Sequence, residues 1–181
     1  RGSYVYTSDP DARNRFRSTR SHNTLIIDGV EQNDIRLDYL FRMFETSKTE
    51  CLGFRDGAGT LDYEGQHTGY ERLDAPVTHR RRFQLRGETL AIVDPGPEVV
   101  PDLVDHLTGQ GHHRWEWFFH AAPGVTLSVA GPGRVSVASP QGLWLLAGVP
   151  EMEVRIEPGW YSPSYGVRHA ASTAIFGGTF D

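Results

Sequence analysis

Apolar residues recur at every second position along most of the 181-residue chain, and no stretch holds the i, i+3, i+4, i+7 spacing of an amphipathic helix over three turns. That pattern predicts an all-β protein. Val125, Leu127 and Val129 precede a Gly131-Pro132-Gly133 turn, and Val135-Val137 and Leu143-Leu145 continue the alternation, which reads as a meander. Residues 81–86 and 89–94 flank Gly87-Glu88 as a hairpin, with Phe83 and Leu85 on the face expected to be buried and Arg82, Gln84 and Arg86 on the other. Thr24–Asp28 followed by Gly29 is a strand entering an Asp-Gly turn, a strong hairpin cue. Glu153–Ile156, Val167–Ala170 and Thr173–Phe176 complete an antiparallel β-sandwich of about ten to fourteen strands. Asp94–His112 carries no periodic pattern and is expected to be an exposed loop.

A length of 181 residues fits one domain over 1–181, able to bury about 70% of the surface its unfolded form exposes. The 20 glycines and 11 prolines fit many tight turns between short strands. A net charge of −5 argues against general nucleic-acid binding, because neutralising phosphates requires a basic surface. Two local basic clusters stand out: Arg13, Arg15, Arg17 and Arg20 near the start, and Arg80-Arg81-Arg82. Either can face an anionic polymer or be a solvated face. Cys51 stands alone, which excludes an intrachain disulfide. No apolar run is long enough to span a membrane, and the first residues, which lack Met, do not resemble a signal peptide; they suggest a fragment or processed product.

The segment from Tyr4 to Gln32 concentrates Tyr, Arg, His and Asn ahead of an apolar strand. His22 and Asn23 fall at the strand entrance, where a sheet fixes side chains that can still face a cleft. The plain alternative makes His22 a hydrogen-bonded edge histidine and Asn23 a turn former.

Here a resemblance becomes specific. Arg17-Ser18-Thr19-Arg20-Ser21-His22-Asn23-Thr24, followed by Asp28-Gly29 and Gln32, resembles the "R-S-T-x-x-H-N-T-x-x-x-D-G-x-x-Q" signature of heparinase II/III-like proteins. Looser matches are Gly2–Tyr6, His79-Arg80-Arg81, Val93-Asp94, Phe119–Gly124 and Tyr161–Gly166. One departure is Arg20, where the family tends to carry a small residue. The resemblance implies the C-terminal, two-sheet, supersandwich-like β domain of a polysaccharide lyase, separated from the family's N-terminal α/α toroid. The implied substrate is an anionic, uronic-acid-containing polysaccharide such as heparan sulfate or alginate, cleaved by β-elimination in a secreted or periplasmic setting.

Such a reaction neutralises the uronate carboxylate, removes the proton beside it and protonates the leaving oxygen. On that resemblance Tyr4 and Tyr6 are candidate proton-transfer groups, Asn23 a candidate donor to the developing anion, and Arg17 and Arg20 candidate substrate-binding cations. The family's β domain also holds a divalent metal, usually zinc, on two His and one Asp. His22 matches one of these ligands, and the other two belong upstream of residue 1, so the site in this chain is expected to be incomplete.

His112, His113 and His120 lie too far apart along a strand, and on the wrong alternation, to share a metal. Trp115, Trp117 and Phe119 occupy one strand face, which favours core packing over a sugar platform. Asp34, Asp38, Asp56 and Asp62 are too scattered for a calcium loop. Two further functions compete with the lyase module: a noncatalytic carbohydrate-binding or structural sandwich, and a glycan-processing protein that keeps the fold with altered chemistry.

Overall fold

The computed structural model describes residues 2–39, 41–57, 59–87, 89–93 and 112–180; the loop expected over 94–112 lies outside them except for His112. Among the described residues the order is helix α1 (Pro10–Arg17), a 3-10 turn (Thr19–Ser21) and eleven strands. The strands are β1 (Leu25–Ile27), β2 (Thr49–Gly57), β3 (Thr60–Tyr70), β4 (Val77–Arg86), β5 (Thr89–Val93), β6 (His113–His120), β7 (Thr126–Gly131), β8 (Arg134–Ser139), β9 (Gly142–Ala147), β10 (Glu153–Ser164) and β11 (Val167–Phe180). The pairs β1–β6, β10–β11, β2–β3, β3–β4, β4–β5, β7–β8 and β8–β9 are antiparallel. The chain forms two compact units.

The first unit holds residues 1–31, 35–44 and 113–179. It contains a four-stranded sheet in the order β1-β6-β11-β10 and the three-stranded meander β7-β8-β9. β1 is all apolar and fully buried, as a strand covered on both faces must be. It pairs with β6 through Leu25 with Trp117, Ile26 with Glu116 and Ile27 with Trp115. Opposite residues share a face, so Trp115 and Trp117 join Leu25 and Ile27, and both tryptophans are buried. The aromatic face of β6 is core, as its alternation predicts. Ile26, Phe118 and Ile175 form a second buried cluster on the other face. Pro158 is tolerated within β10 because that strand is the sheet edge.

The hairpin cue at Asp28-Gly29 is only partly realised. Both residues have positive φ, 53° and 70°, as a type I′ turn demands, yet pairing stops after one bridge between Ile27 and Val30. β1 takes β6 as its partner, since burying Leu25 and Ile27 against two tryptophans removes far more apolar surface from water than a short exposed hairpin would.

The second unit holds residues 32–34 and 45–112 and is built on the sheet β2-β3-β4-β5. The hairpin of β4 and β5 has the expected register, Arg86 opposite Thr89 and Phe83 opposite Ile92. Its burial is the reverse of the sequence expectation: Gln84 is only 8% exposed, whereas Leu85 is 40% exposed. The polar face is knitted together, with Arg82 bonding both oxygens of Asp62, Gln84 reaching Asp62 at 3.3 Å and Arg80 Nε donating to Glu64 at 2.5 Å. These side chains cover one another. On the opposite face Phe54, Tyr63, Phe83 and Ile92 lie in one row and Leu61, Leu85 and Leu90 in the next. Phe54, Tyr63, Leu85, Leu90 and Ile92 there are exposed. The basic run Arg80–Arg82 is therefore largely neutralised, because Arg80 pairs with Glu64 and Arg82 with Asp62.

Candidate functional site

Helix α1 begins the site. Pro10 sits in its first turn and the Asp9 carboxylate caps it by accepting from the Ala12 N–H at 2.9 Å. It lasts only 8 residues and buries Ala12, Arg13 and Phe16. Ser18 then opens the 3-10 turn. Glu31, two residues beyond the Asp-Gly turn, clasps it: its carboxylate accepts from Ser18 Oγ at 2.5 Å and from the Thr19 N–H at 2.6 Å. The Ser21 hydroxyl donates back to the Arg15 carbonyl at 2.5 Å. The Arg17–Thr24 signature is thus a tightly folded corner leading into β1.

This corner walls a cleft of about 390 Å³ in the first unit. Arg15, Phe16, Ser18, Arg20 and Ser21 form one side, and Phe118, His120, Thr173 and Ile175 of the sheet form the floor. Glu157, Pro158, Gly159 and Trp160 of β10 close the far side. Arg20 lies with its guanidinium carbon 5.5 Å from the Phe118 ring centre. His120 is fixed twice: its backbone N–H donates to Asn23 Oδ1 at 2.8 Å, and its Nδ1 lies 2.8 Å from the Thr173 hydroxyl. The Glu157 carboxylate accepts from Arg155 Nε at 2.8 Å, and Glu116 from Arg155 Nη2 at 2.6 Å. Burial opposes ionisation of Glu116, but the Arg155 hydrogen bond and the charges of Arg155, Arg114 and Arg20 outweigh it and hold its pKa low.

Of the candidate catalytic, substrate-binding and metal residues, Arg20 lines the cleft, beside Arg15 of the same basic cluster and Ser18 and Ser21 of the signature. Asn23 stands behind it, holding the end of β6. Exposed His22 has its pKa lowered by desolvation, against the opposing charge of Glu31. Arg17 is occupied elsewhere, donating to the Tyr39 and Arg36 carbonyls, each at 2.8 Å, and so anchoring residues 36–39. Tyr4 and Tyr6 belong to no strand. Tyr4 is half-buried, its ring 6.0 Å from Phe16, with the Arg168 guanidinium 4.9 Å from its centre. Arg168 also lies 4.4 Å from the Trp160 ring centre, so it links Tyr4 to the rim of the cleft. Tyr6 stacks on Tyr165 at 5.5 Å and touches Phe41.

The metal centre that the sequence resemblance implies needs several donors besides His22. Among the described residues no three His, Cys, Asp or Glu side chains converge, so the residues present do not make the full donor set. The histidines of β6 serve other ends. His113, 5% exposed, directs Nδ1 to Asp28 Oδ2 at 2.6 Å, while Asp28 Oδ1 accepts from the Arg114 N–H at 2.8 Å. His120, at the far end, faces the cleft.

Sequence reasoning missed Trp160 and Glu157; it took Arg15 only as part of a basic cluster and His120 only as a rejected metal ligand. Trp160 carried a detectable signal, a lone tryptophan beside Pro158-Gly159, although pairing with β11 stays in register there. His120 carried none, since only the β1–β6 register brings it to Asn23.

The model of the family described as "Heparinase II/III-like, C-terminal" matches residues 1–178. Among solved structures, the chain is similar to a heparinase III, the BT4657 gene product, at 20% identity and a TM-score of 0.68, covering 99% of this chain and 25% of that one. It is also similar to the heparan sulfate lyase HepC from Pedobacter heparinus, at 15% identity and a TM-score of 0.74, again covering 99% and 25%. At these identities the likeness is one of fold. The chain spans about a quarter of the length of these proteins. No curated protein sequence matches it.

Proposed function

Because the chain belongs to the heparinase II/III-like C-terminal family, we propose that it is the β-sandwich module of a polysaccharide lyase that cleaves uronic-acid-containing polysaccharides by β-elimination. The observation that carries this reading is the cleft itself. Arg20 of the signature corner meets Arg15, a histidine with fixed backbone and an exposed tryptophan around one cavity of small-molecule size. The relatives named as a heparinase and a heparan sulfate lyase support the same chemistry, since both names denote action on anionic polymers.

In this reading Arg20 binds the polymer at the cleft, and Arg17 acts on it indirectly by shaping the adjoining segment. Asn23 holds His120 through its side-chain oxygen, and an amide that accepts with oxygen can donate with nitrogen to a developing anion. Tyr4 and Tyr6 are offered as proton-transfer groups, Tyr4 with the stronger claim because Arg168 lies over both its ring and that of Trp160 at the cleft. His22 is offered as one ligand of a divalent metal, zinc by ligand type, whose other donors would lie outside this chain. An N-terminal helical toroid would supply the remaining catalytic groups, and a secreted or periplasmic location would give access to the polymer.

The test is the ultraviolet absorbance of the unsaturated uronate that β-elimination creates. The full-length parent is expected to generate it, a parental His22→Ala variant to lose it, and residues 1–181 alone to produce none. If no uronic-acid polymer gives the signal while the chain still binds one, the module is a noncatalytic carbohydrate-binding sandwich instead.

A further inference from the structure

Helix α1 carries two arginines one turn apart, Arg13 and Arg17, and both guanidiniums meet residues 36–39 of the first unit. Arg13 Nη2 donates to the Leu37 carbonyl at 2.7 Å, and Nη2 and Nε donate to Asn14 Oδ1 at 3.1 and 3.2 Å. Arg17 commits Nη1 and Nη2 to the Tyr39 and Arg36 carbonyls. That leaves Arg13 Nη1 and Arg17 Nε, both buried and without an acceptor among the described residues. Arg13 as a whole is only 5% exposed.

The acceptors these two side chains do have are all neutral, three backbone carbonyls and one side-chain amide. Neither guanidinium forms an ion pair among the described residues. Asp38 belongs to the same segment, yet it is exposed and pairs with neither. Burial lowers the pKa of Arg17, the charge of Arg13 lowers it further, and the opposing charge of Glu31 weighs least of the three. The Glu31 oxygens bond to Ser18 and Thr19. Two like charges are thus held side by side, partly out of water, with unspent donors, which is unfavourable unless an anion joins them. A water molecule can accept from both N–H groups but leaves the repulsion in place. A sulfate or a carboxylate brings charge, but also bulk, to N–H groups that solvent does not reach. A small monovalent ion meets both demands.

We propose that Arg13 and Arg17 form a chloride site, with Arg13 Nη1 and Arg17 Nε donating to one ion that ties α1 to residues 36–39. The site is independent of the lyase reading, since neither arginine lines the cleft.

The test titrates the 181-residue chain with sodium chloride in exchange for sodium methanesulfonate at constant ionic strength. Arginine Nε–H resonances are followed by NMR and the unfolding temperature by calorimetry. The Arg17 Nε–H resonance is expected to shift along a saturating curve, half complete on the order of 1–100 mM, and the unfolding temperature to rise over the same range. Arg13→Gln removes one charged donor and is expected to weaken chloride binding about tenfold or more. Arg81→Gln, an exchange in the second unit, is expected to leave the response unchanged. Crystals of the unaltered chain grown in sodium bromide are expected to show an anomalous peak within hydrogen-bond reach of both nitrogens, a result that depends on no variant's folding. Any of four results would overturn the site: an Arg17 resonance indifferent to chloride, a shift that grows without saturating, undiminished binding in a folded Arg13→Gln, or no bromide peak at the two nitrogens. A chloride-indifferent chain would assign these N–H groups to water instead.

Discussion

Asp28 shows how one side chain can serve two levels of structure. It holds a positive φ, which costs most residues about a kilocalorie per mole but is more accessible to Asp and Asn. Its carboxylate meanwhile bridges His113 Nδ1 and the Arg114 N–H. Asp28→Ala is expected to destabilise the chain by about 2–4 kcal/mol, because it leaves a buried imidazole N–H without a partner and adds backbone strain. Asp28→Asn keeps the turn and an acceptor oxygen, so its loss should be at most about half as large. Equilibrium denaturation of both variants checks the ordering. The turn at Asp28 was legible in the sequence, but its bond to a histidine 85 residues away was not. The same holds in the cleft: the Arg20–Asn23 corner was visible as a motif, while His120 and Trp160 reach it only through strand register.

At the scale of elements, strands with alternation, such as β6 and the β7–β9 meander, were readable because burial on one face imposes a period of two. β2 and β3 were harder to delimit. A bulge between Cys51 and Gly53 and another irregularity between His67 and Tyr70 break the period, and the polar face carries charge rather than neutral spacers. Helix α1 escaped because two turns are too few for a helical period to show, although the Asp-Pro start is a recognisable cap. The β3–β4 pair gives a prediction at this scale. The Arg82 hydrogen bond holds the Asp62 carboxyl down at about 2, burial opposing. A depressed carboxyl stabilises the fold above its unfolded value, near about 4, and that contribution is lost as pH falls toward about 2. Acid denaturation should therefore show a loss of about 1 kcal/mol across that window, discounted for solvent at this partly exposed sheet face. Asp62→Asn should be less stable at neutral pH but lack that step, as urea unfolding at pH 2 to 6 would reveal.

Taken whole, the molecule gathers cations in one cleft and exposes apolar side chains on both units, Phe41, Leu143 and Leu145 in the first among them. The cleft of the first unit gathers cations, whereas the sheet of the second unit leaves Phe54, Leu85, Leu90 and Ile92 exposed on one face. These two surfaces answer salt in opposite ways. Simple salt screens charge within about 10 Å at 0.1 M, so the chain's affinity for uronate oligosaccharides should fall as sodium chloride is raised. Sulfate is excluded from protein surfaces and favours burial of apolar area, so sedimentation velocity should show self-association growing with ammonium sulfate. Replacing Leu90 and Ile92 with Thr should suppress the association and leave the affinity untouched. For anyone purifying this chain, the bare sheet face thus acts as a hydrophobic chromatography handle. High sulfate should retain the protein on a phenyl resin, and lowering the salt should release it in the condition where its cleft is most receptive.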